Sequence, residues 1–159
     1  MERIFVVEVM GRNCGYLAMK AAVAGGAEQV LIPEIPFDIA KVSTEITEGY
    51  IKGKASWIIV VAEGAVRAHD LAAKITEMTE LETRTVVIGH VQRGGIPTAE
   101  DRLLASRLGV AAVEALVKGE GGKAIGVMGD KINMVDFTVA TSPYTLENKE
   151  DLRILKILT

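Results

Sequence analysis

A single cysteine, Cys14, stands in 159 residues. One thiol forms no intrachain disulfide and no cysteine cluster for a metal, and it fits a reducing, cytoplasmic setting. Long apolar runs are absent too. No stretch reaches the roughly 18 consecutive apolar residues that a membrane helix requires. The opening "MERIFVVEVMGRN" is too short and too soon charged to read as a signal peptide. Nor is charge of one sign concentrated anywhere: the net charge is −3, with lysine and arginine spread along the chain. A dedicated nucleic-acid surface would need clustered cations facing phosphates. What remains is 49% apolar and 25% charged, the balance of a folded globular protein. The length predicts one domain over 1–159, with no internal repeat, low-complexity tract or linker.

Strand-like and helix-like segments alternate along it. "RIFVVEVM" (3–10) reads as a strand, followed by a helix from Asn13 that stops at Gly25-Gly26. "QVLIPE" (29–34) is a second strand. A helix follows over about 38–52, with Ile39, Val42, Ile46 and Tyr50 on one face. "SWIIVVAEG" (56–64) is nearly continuous apolar, as a central strand buried on both faces must be. A helix over about 67–80 leads to another buried strand, "RTVVIGHV" (84–91). The next helix, 99–118, carries Leu104, Leu108, Ala111 and Ala115 in one stripe, and Thr98 with Asp101 forms a capping box. "KAIGVMG" (123–129) is the last clear strand, and "LENKEDLRILKIL" (146–158) closes the chain as a helix. This alternation predicts an α/β fold with a mostly parallel sheet.

In such sheets ligands collect beyond the carboxyl ends of the strands. The polar oddities fall there: Met10-Gly11-Arg12 after the first strand, Glu63 after the third, and His90 with Arg93-Gly94-Gly95 after the fourth. Arg12 precedes Asn13, a good helix N-cap, so its guanidinium beside a helix N-terminus makes an anion site. Alone, it reads more readily as a surface arginine at a turn. Glu63 fits either an acceptor for sugar hydroxyls or an acid capping the next helix. His90 taken alone fits a hydrogen-bonded core histidine. Arg84 and His90 are six apart and point the same way, yet lie roughly 20 Å apart on an extended strand. If both bind phosphate, one of them reaches a ligand on a neighbouring subunit. No dinucleotide fingerprint, P-loop or metal-ligand spacing appears. Three arginines, one histidine and one glutamate around strand ends describe a phosphorylated polyol better than a dinucleotide.

"VVEVMGRNCGYLAMKAAVAGGAEQVLIPE" together with "GHVQRGGIPTAEDRLLASRLG" resembles the carboxyl-terminal half of a bacterial-type 6-phosphofructokinase, and the likeness runs from about Arg3 to Gly129. It implies a Rossmann-like three-layer sandwich, one lobe of that family's two-lobed fold. It implies that Met10, Gly11, Glu63 and Arg93 hold fructose 6-phosphate. Arg12 would stabilise the transferring phosphoryl group, and His90, Arg84 and Arg3 would grip the 6-phosphate, the latter two across a subunit interface. Gly26, Glu28, Lys52 and Lys54 match the family's effector site for nucleotide diphosphate or phosphoenolpyruvate, with Glu28 serving a magnesium ion. The family uses ATP and Mg2+ and assembles as a homotetramer. Its Gly-Gly-Asp donor loop and its Thr-Ile-Asp-Asn stretch with the catalytic base have no counterpart in this sequence. The expectation is therefore a substrate-binding lobe, inactive alone. The alternatives are the matching lobe of a diphosphate-dependent enzyme, or a non-catalytic phosphosugar-binding module.

Overall fold

Four apolar segments pair as one sheet in the computed structural model, which describes residues 3–142 and 149–158. They are β1 (Arg3–Val9), β2 (Gln29–Leu31), β3 (Ser56–Ala62) and β4 (Thr83–Val87), in the order β2-β3-β1-β4. Every pairing among them is parallel. Parallel neighbours need long crossovers, which α1 (Tyr16–Gly25), α2 (Ile39–Ile51) and α3 (Ala68–Thr79) supply.

Alternation along the strands sorts the core into two layers. Ile4 and Val6 of β1 with Ile59 and Val61 of β3 pack against Val42 and Ile46 of α2 and Leu71 and Ile75 of α3. Val9, Val60 and Ala62 point the other way, against Ala18, Met19 and Ala22 of α1 and against Leu155. Leu155 belongs to a closing helix, Lys149–Leu158, whose Asp151 pairs with Lys20 of α1 at 2.6 Å. The result is the α/β, Rossmann-like three-layer sandwich with a parallel sheet. β3 is buried on both faces as its composition predicts, and β1 sits beside it.

By its contacts the chain divides into two compact units, Met1–Gly94 with Thr145–Thr159, and Gly95–Tyr144, where the sequence predicts one domain. The sheet belongs to the first. The second holds α4 (Ala99–Val117), the strands β5 (Lys123–Met128) and β6 (Lys131–Asp136), and α5 (Phe137–Ala140); the closing helix is α6. The predicted last strand is therefore not part of the parallel sheet. β5 and β6 form an antiparallel hairpin in which Met128 faces Lys131. Gly129, with φ 61°, occupies the first of two turn positions, where a type II′ turn requires a glycine. The Thr98–Asp101 capping box forms as expected. Ala115 is the one buried residue of this unit among the described residues. Beyond the stripe that contains it, α4 carries a second apolar stripe of Leu103, Val110, Val113 and Val117, each 60–82% exposed.

Other boundaries shift for local reasons. α1 begins at Tyr16 with Gly15 as its N-cap, not at Asn13, because residues 10–15 are held in a loop described below. β4 ends at Val87, and Gly89–Arg93 form a 3-10 turn. β4 is also an edge strand, with Val86 and Val87 nearly half exposed, rather than the buried strand its composition predicts. Residues 146–148 of the predicted closing helix lie outside the described residues.

Candidate functional site

The segments leaving β1, β3 and β4 lie at one end of the sheet, as predicted, and they are joined by hydrogen bonds. Glu63 directly follows β3. Its Oε1 accepts the backbone N–H of Arg12 at 2.9 Å and that of Gly11 at 3.3 Å. The capping reading of Glu63 is not what the structure shows, since its described bonds run to the loop after β1 and not to the next helix. Glu8 of β1 caps that helix instead, accepting the N–H of Ala68 at 2.7 Å. Glu63 therefore organises the Gly11–Arg12 backbone with one carboxylate oxygen.

The loop is held at further points. Arg12 has φ 48°, a left-handed conformation that costs a non-glycine residue energy and persists only when its surroundings enforce it. At Gly11 (φ 157°) a Cβ would collide with the carbonyl oxygen of Cys14, and at Gly64 it would collide with that of Arg12. Gly11 lets this loop fold tightly on itself, and Gly64 lets the segment after β3 approach it closely. Behind the loop, the buried Gly15 donates its N–H to both carboxylate oxygens of Glu34, at 2.8 and 3.0 Å. Arg12 thus lies in a pinned loop four residues before α1, not beside a helix N-terminus as its sequence neighbour Asn13 predicts. The Arg12 side chain is exposed.

Beyond β4, His90 and Arg93 both sit on the 3-10 turn and are exposed, which excludes the core reading of His90. Strand alternation does not carry from Arg84 to His90, because the strand ends between them. The extended estimate of roughly 20 Å is an upper bound, since a 3-10 turn rises about 2.0 Å per residue. Gly94 and Gly95 are not forced by geometry: Gly94 has φ −98°, and a Cβ at Gly95 would meet nothing. The turn is tied to the β1 loop by Gln92, whose Oε1 accepts the N–H of Met10 at 2.7 Å.

Arg3 and Arg84 lie at the opposite, amino-terminal end of their strands, so they do not join this cluster. Glu82 brings them together. Its Oε1 lies 2.7 Å from Arg84 Nη2, and its Oε2 lies 3.5 Å from Arg3 Nε. The Arg84 hydrogen bond foremost, and the charge of Arg3 with it, hold the Glu82 carboxyl below the usual carboxylate range despite some desolvation.

Of the matched effector residues, Glu28, Lys52 and Lys54 line a cavity of about 550 Å³ with Glu45, Glu48 and Trp57. Gly26 is not among the lining; it ends α1 with φ 65°. Glu28 Oε2 accepts the N–H of Ile58 at 2.6 Å, and Oε1 pairs with Lys54 Nζ at 3.1 Å. Lys54 also lies 4.9 Å from the Trp57 ring centre. These residues alone do not fit a magnesium ion. Both Glu28 oxygens are engaged, one by a cation, and no group of three metal-binding side chains occurs among the described residues. A larger cavity, about 680 Å³, opens beside β2 and shares no residue with the strand-end cluster. No described helix is long and apolar enough to cross a membrane.

Reasoning from sequence missed Glu8, Glu34, Gly64 and Gln92. The first three act on backbone atoms far along the chain and leave no local pattern; Gln92 stands inside the motif "GHVQRGG". Chemically, the cluster offers an exposed guanidinium on a pinned loop, a carboxylate, and an exposed imidazole with a second guanidinium. The phosphofructokinase family model matches residues 1–116. The chain is 45% identical over 158 residues to an ATP-dependent 6-phosphofructokinase of Clostridium acetobutylicum, covering 99% of this chain and 50% of that protein. It is 53% identical over 136 residues to one of Natranaerobius thermophilus, covering 86% and 43%. The phosphofructokinase of Pichia pastoris in its T-state superposes with a TM-score of 0.74 at 33% identity, over 87% of this chain and 17% of that one. The chain spans about half the length of the curated relatives it matches. With 116 of its 159 residues matched, and these relatives across nearly all of it, the chain belongs to the phosphofructokinase family.

Proposed function

We propose that this chain is the fructose 6-phosphate-binding part of an ATP-dependent 6-phosphofructokinase. The observation that carries the reading is the tether between Glu63 and the Gly11–Arg12 backbone, which joins two strand ends into one anion-binding loop. Met10, Gly11, Glu63 and Arg93 would hold the sugar and His90 its phosphate. Arg3 and Arg84, gathered at the far end of the sheet, would meet the phosphate of a sugar held by a neighbouring subunit. In the full reaction the 1-hydroxyl oxygen of fructose 6-phosphate attacks the γ-phosphorus of ATP. The bond to ADP breaks, and the hydroxyl proton passes to a base. Arg12 would face the charge that develops on the transferring group.

The donor is assigned as ATP because both curated relatives are named for it. Donor binding, Mg2+ and the base would come from the half of the fold that this chain does not span, so the chain alone is expected to be inactive. The second apolar stripe of α4 supports this: a helix apolar on two sides needs cover on both. Gly26, Glu28, Lys52 and Lys54 would take a nucleotide diphosphate or phosphoenolpyruvate effector, and any Mg2+ on Glu28 would have to arrive with that ligand's phosphates. A cytoplasmic homotetramer is the setting these assignments require.

The test is calorimetric titration of the chain with fructose 6-phosphate, with glucose 6-phosphate as control, followed by mixing with an amino-terminal half from a relative. Selective binding plus activity on mixing supports the proposal. Binding without activity would make the chain a phosphosugar-binding module instead.

A further inference from the structure

Side by side, β1 and β4 exchange hydrogen bonds on alternate residues of β1. Ile4 donates its N–H to Glu82 O at 3.0 Å, and Glu8 O accepts the N–H of Ile88 at 3.1 Å. In this parallel ladder the next donor on β1 is the N–H of Met10. The backbone of β4 is no longer there to receive it. At Gly89 the chain turns with φ 53° into the 3-10 turn. The Oε1 of Gln92 occupies the acceptor position instead, 2.7 Å from Met10 N. A side-chain carbonyl thus extends the ladder one step past the end of the strand.

That step joins the two halves of the strand-end cluster. On one side is the Met10–Arg12 loop, fastened to β3 by Glu63. On the other is the turn that carries His90 and Arg93, with Gln92 between them. Without Gln92, the described hydrogen bonds fasten the loop toward β3 and leave the end facing β4 untied. We propose that Gln92 is a positioning residue of the phosphosugar site: it sets the spacing between the Arg12 loop and the His90–Arg93 turn. This rests on the reading of the cluster as a phosphosugar site. Gln92 acts through the Met10 amide and needs no contact with the sugar.

The experiment compares the chain with Gln92→Leu, which removes the acceptor, and Gln92→Glu, which retains it. Amide hydrogen exchange of isotope-labelled protein reads the tether, and calorimetric titration with fructose 6-phosphate reads its consequence. In Gln92→Leu the Met10 amide is expected to exchange about fivefold faster, the size of one hydrogen bond. The Ile4 and Val6 amides stay unchanged, and Gln92→Glu restores the protection at Met10. Sugar affinity in Gln92→Leu falls by a similar factor of about five. Equal Met10 exchange in the wild type and Gln92→Leu overturns the tether. Faster exchange with unchanged sugar affinity overturns the positioning role. Absence of sugar binding by the wild type would instead overturn the phosphosugar reading, and the exchange of Met10 would still decide the tether.

Discussion

Glu63 holds Arg12 by its backbone rather than by its charge: the carboxylate accepts the Arg12 N–H at 2.9 Å. No hydrogen bond or ion pair among the described residues claims the guanidinium, so the arginine is fixed in place and its charge remains available. Glu63→Ala removes the acceptor from two amides and leaves Arg12 without support for its φ of 48°. Affinity for fructose 6-phosphate should drop by a factor of about 10–100. Glu63→Gln, which keeps an oxygen acceptor, should fall between the two in titration calorimetry. Equal affinities for all three proteins would contradict the assignment.

Gly64→Ala should be damaging although Gly64 is exposed. Its Cβ would overlap the carbonyl of Arg12, a backbone atom that cannot rotate away. The expected loss is about 1–3 kcal/mol, within the range for strain at a constrained backbone position. Thermal unfolding of the chain reads this loss. The contrast is Gly95→Ala, where a Cβ meets nothing and stability should change little.

Glu82 pairs with both Arg3 and Arg84, the two arginines proposed to meet a phosphate. Its carboxyl is held below its ordinary value of 4.5, first by the hydrogen bond from Arg84. A carboxyl lowered on folding stabilises the fold above its unfolded pKa, and that contribution is lost as pH falls through the folded pKa. The pairing of Glu82 with Arg84 and Arg3 weakens in the same acid range. Sulfate, which stays dianionic there, should therefore bind this pair more tightly as Glu82 protonates. Glu82→Gln should show the tighter binding already at neutral pH. Carbon-13 shifts of the Glu82 carboxyl, followed with pH and with sulfate, decide the point.

Trp57 is the single tryptophan of the chain, and Lys54 rests over its ring while pairing with Glu28. A nucleoside diphosphate entering the neighbouring cavity would draw Lys54 toward its phosphates. Tryptophan emission should then change in a saturable way. Lys54→Met should weaken binding about tenfold, the scale of one charge-assisted contact, and abolish the emission change. An unaltered signal with bound nucleotide would show that Lys54 does not move.

Exposed apolar stripes associate when nothing covers them. The chain alone should therefore self-associate through Leu103, Val110, Val113 and Val117. Val110→Lys with Val113→Glu should shift sedimentation toward monomer and lower binding of an apolar fluorescent dye. The same change should block recovery of activity on mixing with an amino-terminal half, without altering sugar binding.

Much of the sheet was legible because its strands are short apolar runs, and the run 56–62 could only be a strand buried on both faces. The capping box at Thr98 was equally legible, since it acts within three residues. β6 was not. "KINMVD" mixes a lysine, an asparagine and an aspartate among its apolar residues, and it gains its pairing only from the glycine turn before it. At the site, strand-end positions could be read from the order of segments. The true start of α1 could not, because Asn13 looks like a cap while Glu34, 19 residues beyond Gly15, holds that glycine's amide. The exposure of Val86 and Val87 was hidden for a related reason: edge and centre are properties of strand order, and β-branched composition is the same in both.

The order β2-β3-β1-β4 has one more consequence. β1 and β3 are neighbours, yet the helix leaving β1 crosses to one face of the sheet and the helix leaving β3 crosses to the other. Two adjacent exits that part in opposite directions leave a crevice between them, whatever side chains line it. Winding of the chain alone makes that opening, and Glu63 is the residue that spans it. The family's chemistry could thus begin in a gap that the topology had already provided.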